Sequence, residues 1–154
     1  MSEALSTQKV NIGLIGFGTV GTGVVKVLTE NGRSIKDRLG VELVLKRVAD
    51  KDTVRDRGVT LEPGVLTAMA SDVLQDPDID IVIELVGGTG IARTFIMEAL
   101  ERGKHVVTAN KALLSTHGKE IFKKAAEKKL DVYFEASVGG GIPVIKALRE
   151  GLAA

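Results

Sequence analysis

The chain has 154 residues, enough for one domain with a real core and too few for two full ones. Apolar residues make up 44% and charged residues 27%, an ordinary soluble balance, and the formal net charge of +1 calls for neither nucleic acid nor a membrane surface as partner. Cysteine is absent, which excludes disulfides, a thiolate nucleophile and a cysteine-based zinc site, and four Phe, one Tyr and no Trp leave little for base stacking.

Residues 1–9 read as a disordered polar leader with no apolar segment of a secretory signal. No later apolar run approaches the ~18 residues of a membrane span, and with no cysteine the chain reads as cytoplasmic. The folded domain is expected over 10–154.

Val10–Gly23 reads VNIGLIGFGTVGTG: an apolar strand, a Gly16-Phe17-Gly18-Thr19-Val20-Gly21 turn and the start of a helix. A GxGxxG in that setting is a dinucleotide-binding signal, although the glycines alone also suit a plain tight turn. Gly16 permits the turn, Gly18 lets a pyrophosphate approach the backbone, and Gly21 lets the helix pack close to the strand. The helix is expected over Thr19–Glu30, with Val20, Val24, Val27 and Leu28 on its inner face and Asn31-Gly32 as its stop. Ser34–Leu39 adds a short turn before a second strand, Val41–Ala49, which delivers Asp50.

Asp50 lies farther from Gly21 than the usual ~20 residues, and the segment around Gly32–Gly40 accounts for the excess. An acid there accepts bonds from the adenosine ribose hydroxyls and disfavours a 2′-phosphate, which points toward NAD. Arg47, Lys51, Arg55 and Arg57 are near enough in sequence to offset it, and a water-facing carboxylate is the plainer alternative.

Lys51–Gly64 reads as a surface loop and Ser71–Gln75 as a short helix. Ile79–Val86 is apolar enough for a central parallel strand, followed by a Gly87-Gly88-Thr89 turn and a helix over Gly90–Arg102 that Thr89 caps. His105–Thr108 forms another strand and leads to Ala109-Asn110-Lys111. An amphipathic helix over Gly118–Lys129, a strand over Val132–Glu135 and a Gly139–Pro143 turn into a last helix complete the chain.

This alternation predicts an α/β fold with a doubly wound parallel sheet in three αβα layers, as a single domain. Its strand ends at Gly16–Gly21, Asp50, Gly87–Thr89, Ala109–Lys111 and Ser137–Gly141 then face one ligand crevice. Lys111 is either a ligand contact or a solvated lysine. His105 and His117 have no metal-type neighbours in sequence and read as structural. Glu135 precedes a turn rich in carbonyls, where a carboxylate either helps hold a hard cation or accepts turn N–H groups.

Four stretches, VNIGLIGFGTVGTGVVKVL, DIVIELVGG, GKHVVTANKALL and FEASVGGGIPVIKALREGL, resemble the amino-terminal domain of homoserine dehydrogenase in order and spacing, from about Val10 to Leu152. TANKALL and EASVGGGIP are the more specific of these. The resemblance implies a Rossmann domain followed, in the parent homodimer, by a substrate and dimerisation domain. It also implies reversible NAD- or NADP-dependent interconversion of L-homoserine and L-aspartate 4-semialdehyde.

By the same resemblance, Phe17, Thr19 and Val20 line the cofactor pyrophosphate, and Gly88 and Thr89 lie nearer the nicotinamide, with Lys111 beside it. Glu135, with the carbonyls of Val138, Gly140 and Ile142, is implied to bind sodium and brace the hinge between domains. The residues that act on substrate belong to the second domain, so this chain is expected to carry no catalytic residue and to bind cofactor with negligible turnover. Two alternatives stand beside this reading: the cofactor domain of another amino-acid or sugar dehydrogenase, which TANK and EASVGGG oppose, and a non-catalytic NAD(H) sensor.

Overall fold

The computed structural model describes residues 8–151. Most of the expected leader, residues 1–7, lies outside the described residues. Lys9, the leader's last residue, instead opens the first strand, β1 (Lys9–Ile15).

Glycine chemistry and an apolar stripe decide the next element. The helix α1 runs unbroken over Thr19–Leu39, straight through the Asn31-Gly32 pair expected to stop it. Gly21 and Val25 are buried on its inner face, and the stripe continues through the half-buried Leu28, Gly32 and Ile35. That periodic burial outweighs the weak local preference of Asn-Gly for a turn. The actual stop is Gly40, whose left-handed φ of 73° lets its N–H bond back to the Lys36 carbonyl. The inner face also differs from the expected one. Val20 and Val27 are exposed, because Gly21 has to face the turn that precedes the helix.

The strand β2 (Glu42–Ala49) follows, and a long irregular segment leads to a two-residue strand, β3 (Leu66–Thr67), which the sequence did not suggest. Then come α2 (Ser71–Leu74), β4 (Ile81–Glu84), α3 (Gly90–Glu101) and β5 (His105–Thr108). Thr89 sits at the start of α3 without a side-chain capping bond, contrary to expectation. The helix α4 spans Lys111–Lys128 and so begins well before Gly118. Asn110 causes the early start, its side chain accepting the Leu113 N–H. The last elements are β6 (Val132–Tyr133), shorter than expected, α5 (Glu135–Val138) and α6 (Val144–Gly151).

All strand pairings are parallel, and the sheet order is β3-β2-β1-β4-β5-β6. This is the doubly wound Rossmann order, with β1 and β4 adjacent at the point where the chain reverses direction across the sheet. Side chains alternate between the faces of β1. Leu14 packs with Phe17, Val25 and Val48 on one face, and Ile15 joins Val73, Ile96, Leu100 and Ile121 on the other. The sheet thus forms the middle of three layers. No helix among the described residues is long and apolar enough to cross a membrane.

A surface cluster ties two outer helices together. Glu101 at the end of α3 receives Lys124 at 2.8 Å and Lys128 at 2.7 Å, one turn apart on α4. These hydrogen-bonded ammonium groups hold the Glu101 carboxyl down to about 2, against an ordinary 4.5. Because the folded value is depressed, the contribution to stability is present above the ordinary value and disappears as pH falls toward about 2. A carboxyl NMR titration should find Glu101 ionising near this low value, and Lys124→Ala with Lys128→Ala should return it toward 4.5.

Candidate functional site

The site begins where β1 ends. Gly16 adopts a φ of +102°, and a Cβ there would lie 2.6 Å from the Leu85 carbonyl carbon and oxygen, so the turn accepts no side chain. The Gly16 N–H donates to the Ala49 carbonyl at 2.9 Å and locks the turn to the end of β2. Across the turn, a Cβ on Gly21 would lie 2.1 Å from the Gly16 oxygen, which is why α1 can start directly against it.

Gly18 caps the helix, and a Cβ on it would meet nothing within 4 Å. Gly18, Thr19 and Val20 are all exposed, and the first turn of α1 holds no acidic residue. Unpaired N–H groups and the positive end of a 21-residue helix therefore open onto free space, the arrangement that holds a phosphate.

Asp50 sits just beyond β2 and faces the turn. Its Oδ2 accepts the Phe17 N–H at 2.6 Å, and its Oδ1 accepts the Asp52 N–H at 2.9 Å and Arg57 Nη2 at 3.4 Å. The Phe17 ring is buried in the core with the Arg57 guanidinium 4.6 Å from its centroid, so Phe17 serves the site through its backbone. Arg57 also donates to the carbonyls of Phe17 at 2.5 Å, Asp52 at 2.6 Å and Arg55 at 2.9 Å. The cation read from sequence as an offset to Asp50 is thus a clamp, only 7% exposed, between the glycine turn and the 51–64 segment. Arg47 is engaged with the Gly64 carbonyl, while Lys51 and Arg55 lie exposed.

The ends of β4 and β5 form the other half of the crevice, and here the sequence concealed a residue. Glu84, which reads as part of an apolar strand, is fully buried. Its Oε1 accepts the Val86 N–H at 2.8 Å, and its Oε2 accepts the Thr108 hydroxyl, also at 2.8 Å. The Thr108 hydroxyl oxygen in turn accepts the Asn110 N–H at 3.1 Å. Asn110 Nδ2 donates to the Gly88 carbonyl at 2.6 Å, and the buried Ser137 hydroxyl donates to the Thr108 carbonyl at 2.9 Å. Gly87 and Gly88 both have positive φ, and Thr89 begins α3 beside them.

Lys111 is the first residue of α4 and exposed, and its amine forms no ion pair among the described residues. A lysine at the positive end of a helix is electrostatically disfavoured, so packing does not account for it.

Glu135 meets α6. Its Oε1 accepts the Ile145 N–H at 2.9 Å, and Oε2 accepts the Lys146 N–H at 3.1 Å, a cap on the helix start. The Ile142 carbonyl in the intervening turn accepts the Val144 N–H at 2.8 Å. The two histidines lie apart from the crevice: His105 Nδ1 accepts the Asp131 N–H at 3.1 Å, and His117 lies 3.9 Å from Glu120 in mid-α4. Among the described residues no cluster of three His, Asp or Glu side chains is placed to hold a metal ion.

Residues 16–135 match the family model described as the homoserine dehydrogenase NAD-binding domain. The chain belongs to the homoserine dehydrogenase family. Homoserine dehydrogenase of Bacillus subtilis is 43% identical over 145 residues, covering 94% of this chain and 34% of that protein. That of Pseudomonas aeruginosa is 48% identical over 149 residues, covering 96% and 33%. The crystal structure of a homoserine dehydrogenase from Thiobacillus denitrificans superposes with a TM-score of 0.87 at 48% identity, covering 94% of this chain and 33% of that one.

The chain therefore spans about a third of the length of the homoserine dehydrogenases it matches. The matched stretch includes the glycine turn, Asp50, the Gly88-Thr89 turn, Lys111 and Glu135.

Proposed function

We propose that this chain is the cofactor-holding part of an NAD(P)-dependent homoserine dehydrogenase, which interconverts L-homoserine and L-aspartate 4-semialdehyde. The open helix start at Gly18, located where β1 and β4 adjoin, carries this reading, because a dinucleotide crosses the sheet at that point. In it, the N–H groups of Gly18, Thr19 and Val20 hold the pyrophosphate, with Gly16, Phe17 and Gly21 shaping the turn. Asp50 faces the ribose of the adenosine half, while Gly88, Thr89 and Lys111 flank the nicotinamide half.

When bound, the nicotinamide supplies the hydride chemistry, and this chain supplies orientation and exclusion of water. The groups that act on homoserine lie outside these residues in this reading, so the chain alone binds cofactor with negligible turnover. Asp50 and the engagement of Arg57 by backbone carbonyls both favour NAD over its 2′-phosphorylated form.

The segment of α5 and the turn that follows it suits a sodium ion by donor chemistry: the Glu135 carboxylate and the carbonyls of Val138, Gly140 and Ile142 are all oxygen ligands. Glu135 retains lone-pair sites beyond those that α6 uses.

Calorimetric titration with NADH and with NADPH tests the reading. Saturable binding is expected, tighter for NADH. Gly18→Val should weaken it at least about tenfold by filling the phosphate space, with the melting temperature little changed. Failure of both dinucleotides to bind would overturn the reading.

A further inference from the structure

A buried carboxylate is costly unless its hydrogen bonds do something that an apolar residue cannot. Glu84 occupies such a place in β4, beside Ile15 of β1 and opposite Thr108 of β5, at the last paired position of both ladders. Beyond that position the two strands diverge into separate turns. One carries Gly87 and Gly88, whose positive φ values come with no side chain to anchor them. The other leads into α4 and Lys111.

Among the described residues, no backbone hydrogen bond joins the two turns. Side chains make the connection instead. Glu84 grips Val86 on one side and Thr108 on the other, and Asn110 reaches back to the Gly88 carbonyl. Asn110 also accepts the Leu113 N–H at 3.1 Å, so the same residue fixes the start of α4.

We propose that Glu84, acting through Thr108 and Asn110, is a positioning residue that sets the Gly88 turn and the Lys111 end of α4 at a fixed separation for the nicotinamide half of the cofactor. The proposal rests on the dinucleotide reading above. The adenosine and pyrophosphate half is built separately, on Gly16–Gly21, Asp50 and Arg57. Glu84 also holds Val86, which lies against Gly16, so the variant that isolates the nicotinamide half is one that cuts the link at Thr108 and leaves the Val86 bond in place.

The test uses the whole chain and two probes: NADH, and ADP-ribose, which lacks the nicotinamide. Thr108→Val preserves side-chain volume and removes the hydroxyl that joins Glu84 to Asn110. It should weaken NADH about tenfold while changing ADP-ribose by less than about twofold, as expected for the loss of one buried hydrogen-bonded link.

Glu84→Ala should weaken NADH at least as much, with a larger loss of stability and some weakening of ADP-ribose, because it also frees Val86 beside Gly16. Glu84→Gln keeps an acceptor for the Val86 N–H and a polar partner for Thr108, and should bring NADH back to within about threefold of the wild type. Equal weakening of both probes by Thr108→Val would reveal a merely structural role and overturn the proposal, as would unchanged NADH binding. A wild-type chain that binds neither probe would instead refute the dinucleotide reading, and this inference with it.

Discussion

Replacing Gly21 with alanine is expected to destabilise the fold by about 3 kcal/mol and to abolish dinucleotide binding, an effect at the upper end for overpacking. A Cβ at that position would lie 2.1 Å from the Gly16 oxygen and 3.1 Å from the Gly16 carbonyl carbon. Both are backbone atoms, so no side chain can rotate away to make room. Gly16 cannot retreat either, because Leu85 and Val86 confine it from the β4 side. Relief requires α1 to move off the sheet, which separates Val25 from Leu14 and Val48 and displaces the helix start that would hold the phosphates. Denaturant unfolding measures the first effect and NADH titration the second. A Gly21→Ala chain with wild-type stability would mean that the close approach of α1 to the turn is not required.

Asp50→Ala is expected to cost about 2–3 kcal/mol, less than a fully buried pair because Asp50 retains some exposure, and to weaken NADH severely. The substitution removes three hydrogen bonds at once. It leaves the Phe17 N–H without its acceptor and Arg57 without its carboxylate, beneath a guanidinium already shielded from water. Asp50→Asn separates these contributions. Its oxygen still accepts from Phe17, but its amide nitrogen faces two donors, the Asp52 N–H and Arg57, so only part of the stability should return. The neutral amide also no longer balances Arg57 or repels a 2′-phosphate. NADPH should therefore gain on NADH in Asp50→Asn. Urea titration and paired NADH and NADPH calorimetry distinguish the outcomes, and an Asn variant as unstable as the alanine variant would place the main role in charge.

The sheet was legible in the sequence because its strands are short apolar runs ending in glycine or polar turns, a pattern that few other folds produce. The crevice followed from it, since parallel strands place all such ends on one side. Local signals misled where burial overrode them. Asn31-Gly32 looks like a helix stop, yet Gly32 lies on the packed face of α1 and carries the helix past it. Asn110 reads only as part of a strand end, yet it caps α4 and so starts that helix well before Gly118.

Other features were invisible because they are not local. Arg57 reaches Phe17 across 40 positions of sequence, and no spacing rule connects them. Glu84 was concealed by its own neighbours: within IVIELV one charge reads as noise, and only the fold brings Thr108 opposite it.

The outermost strands have a consequence for the molecule in crowded solution. The outermost strand on each side of the sheet is only two residues long, Leu66–Thr67 on one side and Val132–Tyr133 on the other. A long bare rim is a template on which another chain can zip into continuous fibre-like pairing. On the β6 side a visiting strand would find only a few backbone groups to bond, whereas on the other side β3 pairs only Val48 and Ala49 and leaves Glu42–Arg47 of β2 as a longer open rim. That open rim carries Glu42, Lys46 and Arg47, and charged side chains along a bare strand discourage another chain from pairing with it.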